Sequence, residues 1–214
     1  MSAVALAQRA DAQRNRRALL EAAVAAFADG GIDVSAGEIA RRAGVAKGTL
    51  FRHFPAKRDL LSAVLTERML ELRALIEKVE RERPPGLAAV AELMSRGAEM
   101  LAADRSFFDA AMHEAAGDAT LTDAKLALVS ALERLVSAAQ RSGELRGDVT
   151  GVDVAMLMMA ATNTCAPALA AEPALWRRYL ALMIDGLRPG PVVTPLPVAA
   201  LSSARMAALA REVR

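Results

Sequence analysis

The sequence predicts an all-α protein, on three observations. Apolar residues recur at every third or fourth position along much of the 214-residue chain, which is the spacing of helices with one buried face. Hydrophobic residues make up 54% of the chain but aromatic residues only 3%, and the abundant alanine favours closely packed helices over sheets. Residues that end helices, such as Gly30-Gly31 and Pro84-Pro85-Gly86, separate the periodic stretches.

The first predicted helix follows Arg14. Its apolar stripe has the spacing of a buried helix face and consists of Ala18, Leu19, Ala22, Ala23, Ala26 and Phe27. Gly30-Gly31 is expected to end this helix, because glycine adopts the left-handed conformation of a helix C-cap without strain.

Two short helices are predicted next. Ser35 and Glu38 have the spacing of a capping box, in which the serine oxygen accepts from the amide of residue 38 and the glutamate reaches back to the cap. Gly44 permits a tight turn after the second helix, and Pro55 ends the third. Two short helices joined by a glycine turn are typical of a helix-turn-helix.

Longer helices are predicted for the rest of the chain. A stripe of leucine and valine residues indicates one helix from about residue 56 to residue 81, and Pro84-Pro85-Gly86 is the clearest linker. Beyond this linker, the pattern predicts helices near 87–103, 105–116, 121–142, 150–170 and 173–187. A proline-rich, extended stretch at 189–200 and a short helix at 201–213 complete the chain. We expect an N-terminal domain at 1–60, a helical domain at 61–190 and a tail at 191–214.

Charge is unevenly distributed along the chain. Residues 1–60 contain ten Lys or Arg and six Asp or Glu, so this segment carries +4 while the whole chain carries +2. The remainder therefore carries −2. We name residues 1–60 the head. A basic head followed by a mildly acidic remainder is typical of a polyanion-binding domain joined to a domain that does not bind polyanions. The alternative is that surface charges are scattered by chance.

Cysteine content and hydropathy bear on the compartment. Cys165 is the single cysteine, so no intramolecular disulfide can form, which favours a reducing compartment. The N-terminal charges follow a short apolar stretch instead of preceding one, the wrong order for a secretory signal. No run approaches the roughly 20 apolar residues that cross a bilayer. We expect a soluble, cytoplasmic protein with no membrane association.

The most specific pattern in the chain lies at residues 39–61, which read IARRAGVAKGTLFRHFPAKRDLL. This segment closely resembles the signature of the TetR family of bacterial transcriptional regulators, and the likeness extends back to Leu20. The resemblance implies a three-helix DNA-binding domain with a helix-turn-helix, followed by a helical ligand-binding and dimerisation domain. It also implies a repressor that binds a palindromic operator on double-stranded DNA as a homodimer and is released by a small apolar effector.

The DNA contacts are expected around the helix that begins near Lys47. A recognition helix needs small and polar groups at its N-terminal end, where the chain approaches base edges in the major groove, and Lys47, Gly48 and Thr49 meet that need. Other positions correspond to the phosphate-binding region of the family. The full candidate set is Ser35, Ala36, Gly37, Lys47, Gly48, Thr49, Phe51, Arg52, His53 and Lys57.

Two positions depart from the family pattern, and several residues have alternative interpretations. Phe51 stands where relatives often have tyrosine, and it lacks the hydroxyl that would bind phosphate. Gly37 stands where many relatives have a basic residue, and Arg41 is a possible substitute one turn later. Leu50 and Phe54 are expected in the core. Arg14, Arg16 and Arg17 either solvate the first helix or contact phosphate, whereas Arg42 is expected to be a solvated charge.

By resemblance, residues 87–187 would hold the effector pocket and the dimer interface. Methionine side chains adapt to varied apolar ligands, and a few polar groups would orient the ligand. The pocket candidates are Met94, Met100, Phe107, Phe108, Met112, His113, Met158, Asn163 and Cys165. The dimer-interface candidates on the last two helices are Ala155, Met159, Thr162, Trp176, Leu180, Met183 and Leu187. For both sets the alternative is ordinary intramolecular core.

Catalysis has no support in the sequence. It contains no nucleophile-elbow, phosphate-loop or zinc-protease motif, and its two histidines are His53 and His113. We therefore expect no enzyme activity, no metal site and no cofactor. The alternative function keeps the same fold as a ligand-independent DNA binder that is controlled by a protein partner.

Overall fold

A computed structural model gives the architecture of the chain. It describes residues 3–103, 117–163, 172–191 and 194–202, together with Arg205 and Ala208. Within these residues every regular element is a helix, which confirms the all-α prediction. The eight helices are α1 (Ala3–Gly30), α2 (Ala36–Arg42), α3 (Lys47–His53), α4 (Lys57–Glu82), α5 (Leu87–Ala103), α6 (Ala119–Arg141), α7 (Gly151–Asn163) and α8 (Leu175–Asp185).

Some predicted elements cannot be compared with the structure. The helix predicted at 105–116 and most of the helix predicted at 201–213 lie outside the described residues. The same holds for the last residues of the helix predicted at 150–170.

Helix α1 is longer than the sequence pattern indicated. It begins at Ala3, whereas the apolar stripe predicted a start after Arg14. The preceding residues include neither glycine nor proline and are rich in alanine, so no local signal stops the helix from extending toward the N-terminus. Its other end is as predicted: Gly31 has φ +68°, and its N–H donates to the Phe27 carbonyl at 2.9 Å.

The described residues of the first compact unit are 3–67 and 117–121. Helices α1, α2 and α3 pack against one another, with Phe27, Ile39 and Leu50 almost fully buried between them. Gly44 has φ +68° in the turn between α2 and α3, as the helix-turn-helix pattern required. The three helices therefore enclose a small core of their own.

Half of the predicted capping box is present at α2. The Ser35 Oγ accepts from the Glu38 N–H at 3.2 Å. The Glu38 carboxylate does not return to the cap, because it accepts from the guanidinium groups of Arg41 and Arg42 at 2.7–2.8 Å. Arg42 also donates to Asp29 at 2.6 Å and so ties α2 to the end of α1. The expectation that Arg42 only solvates its helix was therefore wrong.

Helix α4 begins in the first unit and continues into the second, because the boundary between the units falls after Glu67. Its start is fixed by Asp59, whose carboxylate accepts from the Ala56 N–H at 2.8 Å. It ends at Glu82, immediately before the predicted linker. The one long helix that the sequence predicted at 56–81 is thus confirmed.

The second unit comprises residues 68–105 and 122–214, and its core is formed by helix pairs. Helix α5 packs against α7, and α8 packs against both. Gly97 of α5 leaves room for the Met158 side chain, because a Cβ at residue 97 would lie 3.0 Å from the Met158 sulfur. The start of α7 is capped reciprocally by Thr150 and Asp153, as their spacing predicted.

Candidate DNA-binding surface

The N-terminal end of α3 is open to solvent. Lys47 and Gly48 are exposed, and the N-cap residue, Ala46, provides no side-chain hydrogen bond to the first turn. The first backbone N–H groups of a helix have no partner within the helix, so this end offers free donors. Leu50, with only 2% of its surface exposed, fixes the helix to the core. The Thr49 N–H donates to the Ala46 carbonyl at 2.8 Å, so the first turn presents Lys47 and the backbone of Lys47 and Gly48 to the outside.

Gly48 is not required by the packing of the protein itself. A Cβ built at this residue meets no atom of the described chain within 4 Å. Nor is the backbone there in the left-handed region that favours glycine. The absence of a side chain therefore leaves open space outside the protein, where another molecule can approach the backbone closely.

Phe51 lies beside Lys47 on the same helix and is 42% exposed. The Lys47 Nζ lies 5.8 Å from the centroid of its ring, within range of a cation–π interaction. The Lys47 ammonium group therefore lies near the exposed ring of Phe51, one turn along α3 from its N-terminal end.

His53 is half-buried at the end of α3. Its Nε2 is buried and has no hydrogen-bond partner within the described residues, and its ring lies 6.4 Å from that of Phe54. Burial, followed by the positive charges of Arg52 and Arg16, lowers the pKa of His53 below its usual value. The imidazole is therefore biased toward its neutral form, and Nε2 does not face the surrounding solvent.

The other candidates lie at the ends of α2, α3 and α4 in the same unit. Lys57 and Arg52 are exposed, and Lys57 is the first residue of α4, where its charge adds to free backbone donors. Ser35 is exposed and uses its oxygen as the α2 cap, while Ala36 and Gly37 are half-buried in the first turn.

Three further arginines of the head, Arg14, Arg16 and Arg17, have partners within the unit. Arg17 pairs with Glu21 at 2.8 Å, and Arg14 pairs with Asp11. The Arg16 guanidinium lies 5.4 Å from the ring centroid of Phe54, which is buried as expected. The spacing of three or four residues made the first two pairs predictable, whereas the contact of Arg16 depends on the tertiary fold.

Among the described residues predicted to line the effector pocket, some lie in the core of the second unit and one lines a surface groove. Met94 is fully buried, and Met158 is buried against Gly97. Met100 is half-buried and lines a groove of about 610 Å³ between α4 and α5, together with Leu75 and Ala103. Asn163 is half-buried at the end of α7. The other candidates lie outside the described residues, namely Phe107, Phe108, Met112, His113 and Cys165.

The dimer-interface candidates divide in a similar way. Four are buried within the single chain, with at most 4% exposed, and have little surface to offer a partner: Thr162, Trp176, Leu180 and Leu187. Three are half-buried, namely Ala155, Met159 and Met183. The large exposed apolar side chains of the same two helices are instead Met156, Tyr179 and Leu182. The periodicity located two apolar helices but selected the inner face of α8.

Comparison with known proteins identifies the family. Residues 19–64 match the model of the tetR family of bacterial regulatory proteins, and residues 84–189 match that of the C-terminal domain of SbtR-like transcriptional regulators. A TetR regulator of known structure from Mycobacterium vanbaalenii is 33% identical, with a TM-score of 0.64 over 85% of this chain and 99% of that one. The chain belongs to the TetR family.

Two further transcriptional regulators agree with this assignment. A TetR regulator from Streptomyces coelicolor is 31% identical, with a TM-score of 0.63 over 81% of this chain and 98% of its own. An HTH-type transcriptional regulator of Mycobacterium bovis is 29% identical over 148 residues, which are 66% of this chain and 76% of the relative. TetR proteins are DNA-binding transcriptional regulators and not enzymes, as the sequence predicted. Within the described residues, no helix has the length and apolarity needed to span a bilayer.

Proposed function

We propose that this TetR protein is a cytoplasmic transcriptional repressor, which binds a palindromic operator as a homodimer and is released by a small apolar effector. The observation that carries the proposal is the open N-terminal end of α3, with Lys47 exposed and a glycine that the fold itself does not need. We assign DNA binding to residues 1–60, and effector binding and dimerisation to 61–190.

The open end of α3 suits the major groove. Lys47 can donate to guanine O6 or N7, and the hydroxyl of Thr49 can donate to a phosphate. Gly48 lets the backbone approach without a clash. Lys57 and Arg52 supply exposed charges for phosphates, which position the head without selecting a sequence.

We assign His53 a supporting role in place of the phosphate contact suggested by the family pattern. Its buried Nε2 is directed away from solvent, and the ring packs near Phe54 at the end of α3. We therefore expect this side chain to stabilise the C-terminal end of α3 and not to contact the DNA backbone.

The homodimer follows from the geometry of an operator. Two recognition helices that read a palindrome must lie one turn of DNA apart, about 34–36 Å, which a single head cannot supply. The outward faces of α7 and α8 support this role, because Met156, Tyr179 and Leu182 are each at least 40% exposed there. We therefore place the interface on these outward residues in preference to the buried Trp176 and Leu180.

The effector site is proposed at the groove beside α4 and α5. Its apolar part consists of Ala74, Leu75, Met100 and Ala103, and its rim carries five charged side chains, namely Arg68, Glu71, Lys78, Arg96 and Glu99. The volume of about 610 Å³ lies within the usual size range of a small-molecule site, and the charged side chains would orient a ligand whose apolar part packs against Leu75 and Met100. The same helix that lines this groove, α4, begins with Lys57 in the DNA-binding head. A ligand that shifts α4 would therefore also shift a DNA-binding charge.

Fluorescence anisotropy with an operator duplex tests the assigned roles. Lys57→Ala should weaken binding to all duplexes alike and lower the salt slope by about one, because it removes a phosphate contact. Lys47→Ala should instead relax the preference for one base pair of the operator. If both variants lose affinity uniformly for all sequences, the division between base and phosphate contacts is wrong.

A reciprocal titration tests release by an effector. Any ligand that stabilises the protein against heat should weaken operator binding by the same factor by which the operator weakens ligand binding. A ligand that stabilises the protein but leaves its affinity for the operator unchanged would contradict release by that ligand.

A further inference from the structure

The C-terminal tail contributes a segment that lies on the second unit. Residues 194–198, which we name the strap, pass over a groove of about 400 Å³. Leu196 of the strap lines this groove together with Met156 and Ala160 of α7 and Met183 of α8. The strap thus places an apolar side chain against the last two helices of the domain.

Arg146 holds the strap in place. Its Nη2 donates to the Thr194 carbonyl at 2.9 Å, and its Nη1 donates to the Gly186 carbonyl at 3.3 Å. Asp148 fixes the guanidinium through two hydrogen bonds of 2.6 and 2.8 Å, and the Arg146 backbone N–H donates to the Leu187 carbonyl at 3.0 Å. With only 13% of its side chain exposed, Arg146 joins the α6–α7 connection, the end of α8 and the strap.

The strap comes after the segment that matches the SbtR-like C-terminal domain, but its Leu196 lines the apolar groove of that domain. The match to the SbtR-like C-terminal domain ends at residue 189, before the strap begins. The strap itself is lightly held, since Leu196 is 46% exposed and Val198 is 78% exposed. One carbonyl contact and one half-buried leucine permit the strap to leave without unfolding the helices.

We propose that the strap is an autoinhibitory element, which covers part of the apolar face of α7 and α8 and so opposes the packing of a second copy of this chain there. The proposal rests on the homodimer proposed above. Leu196 and a side chain of a partner cannot both lie at the same place beside Met156 and Met183. Because the strap is tethered beside the groove, it competes at a high effective concentration despite its few contacts. Half-burial of one leucine corresponds to about a fivefold preference for the seated strap.

The test is the dimer dissociation constant, measured by sedimentation velocity over a series of protein concentrations. A chain truncated after Pro189 should dimerise roughly 30-fold more tightly than the full chain, since the full-length dimer must displace two straps, one on each copy, and each displacement costs about fivefold. Leu196→Ala in the full chain should shift the constant in the same direction, because it removes the strap's apolar anchor. Leu70→Ala on α4 is the matched control, since Leu70 is 44% exposed, and it should leave the constant unchanged.

The outcomes distinguish this proposal from the one on which it depends. If truncation weakens dimerisation or leaves it unchanged while the full chain still dimerises, the strap is not inhibitory and the homodimer stands. If none of these proteins dimerises at any concentration, the homodimer and the inhibitory strap both fail. If the truncated chain loses its helical circular dichroism, the Leu196→Ala variant alone decides. The proposal is then overturned if Leu196→Ala does not dimerise more tightly than the wild-type chain.

Discussion

Gly151→Ala tests the helix packing of the second unit in isolation from DNA binding. A Cβ at residue 151 would lie 2.6 Å from the backbone nitrogen of Glu133, and 2.8 and 2.9 Å from the carbonyl carbon and Cβ of Leu132. Two of these three atoms belong to the backbone of α6, so no side-chain rotation relieves the contact. Helix α7 must therefore move away from α6.

The size of the effect follows from two opposing terms. Overpacking of this kind costs about 1–3 kcal/mol, and it opens gaps elsewhere along the α6–α7 contact. The gain from replacing glycine by alanine in a helix is at most about 1 kcal/mol, and less at Gly151, the first residue of α7. We expect the variant to lose about 1–2 kcal/mol of unfolding free energy.

Urea unfolding followed by circular dichroism measures this loss. Gly48→Ala is the matched control, because it is also a glycine-to-alanine change in the first turn of a helix but meets no atom within 4 Å. Its unfolding free energy should be unchanged or slightly higher. If Gly151→Ala is as stable as Gly48→Ala, the close approach of α7 to α6 does not exist in solution.

Three further predictions concern the head and the linker. Gly48→Ala should lower operator affinity by about tenfold or more, because a methyl group enters the space through which DNA approaches. Fluorescence anisotropy with the operator duplex measures this affinity, and an unchanged value would contradict the prediction. The pKa of Glu38 is lowered from 4.5 to about 2 by hydrogen bonds from its two arginines, so its stabilisation is present above about pH 4.5 and lost as the pH falls toward 2. The stability difference between wild type and Glu38→Gln should therefore shrink over that range in acid unfolding, and a constant difference would refute it. Glu144 accepts from the Leu87 N–H at 3.1 Å, so Glu144→Ala should cost about 1 kcal/mol in urea, whereas Glu144→Gln should retain most of it.

The head was predictable from sequence because its signals are local. The Ser35 cap, the Gly44 turn and the end of α3 before Pro55 each depend on neighbours a few residues away. The start of α1 was missed for a related reason, since an uninterrupted alanine-rich stretch contains no signal that marks a beginning. Local rules thus predict a helix end where a capping or helix-breaking residue is present, as at Ser35 and Gly44, and give no boundary where such a residue is absent.

Side-chain partners across helices were not predictable in the same way. Helical periodicity identified the apolar face of α8, but Trp176 and Leu180 on that face are already buried within the single chain. The sequence also offers no means to predict that the Nε2 of His53 is buried, or that Arg146 reaches the tail carbonyl of Thr194. Each of these depends on which elements meet in three dimensions, and that is set by tertiary packing.

The central claim is that the open end of α3 reads DNA sequence. The most direct test titrates the full chain at fixed, moderate salt against a duplex from the region upstream of its own gene, and against a shuffled duplex of the same composition. We expect the upstream duplex to bind at least about 10³-fold more tightly than the shuffled one. Equal affinity for the two duplexes, or no binding to either at low salt, would contradict the account.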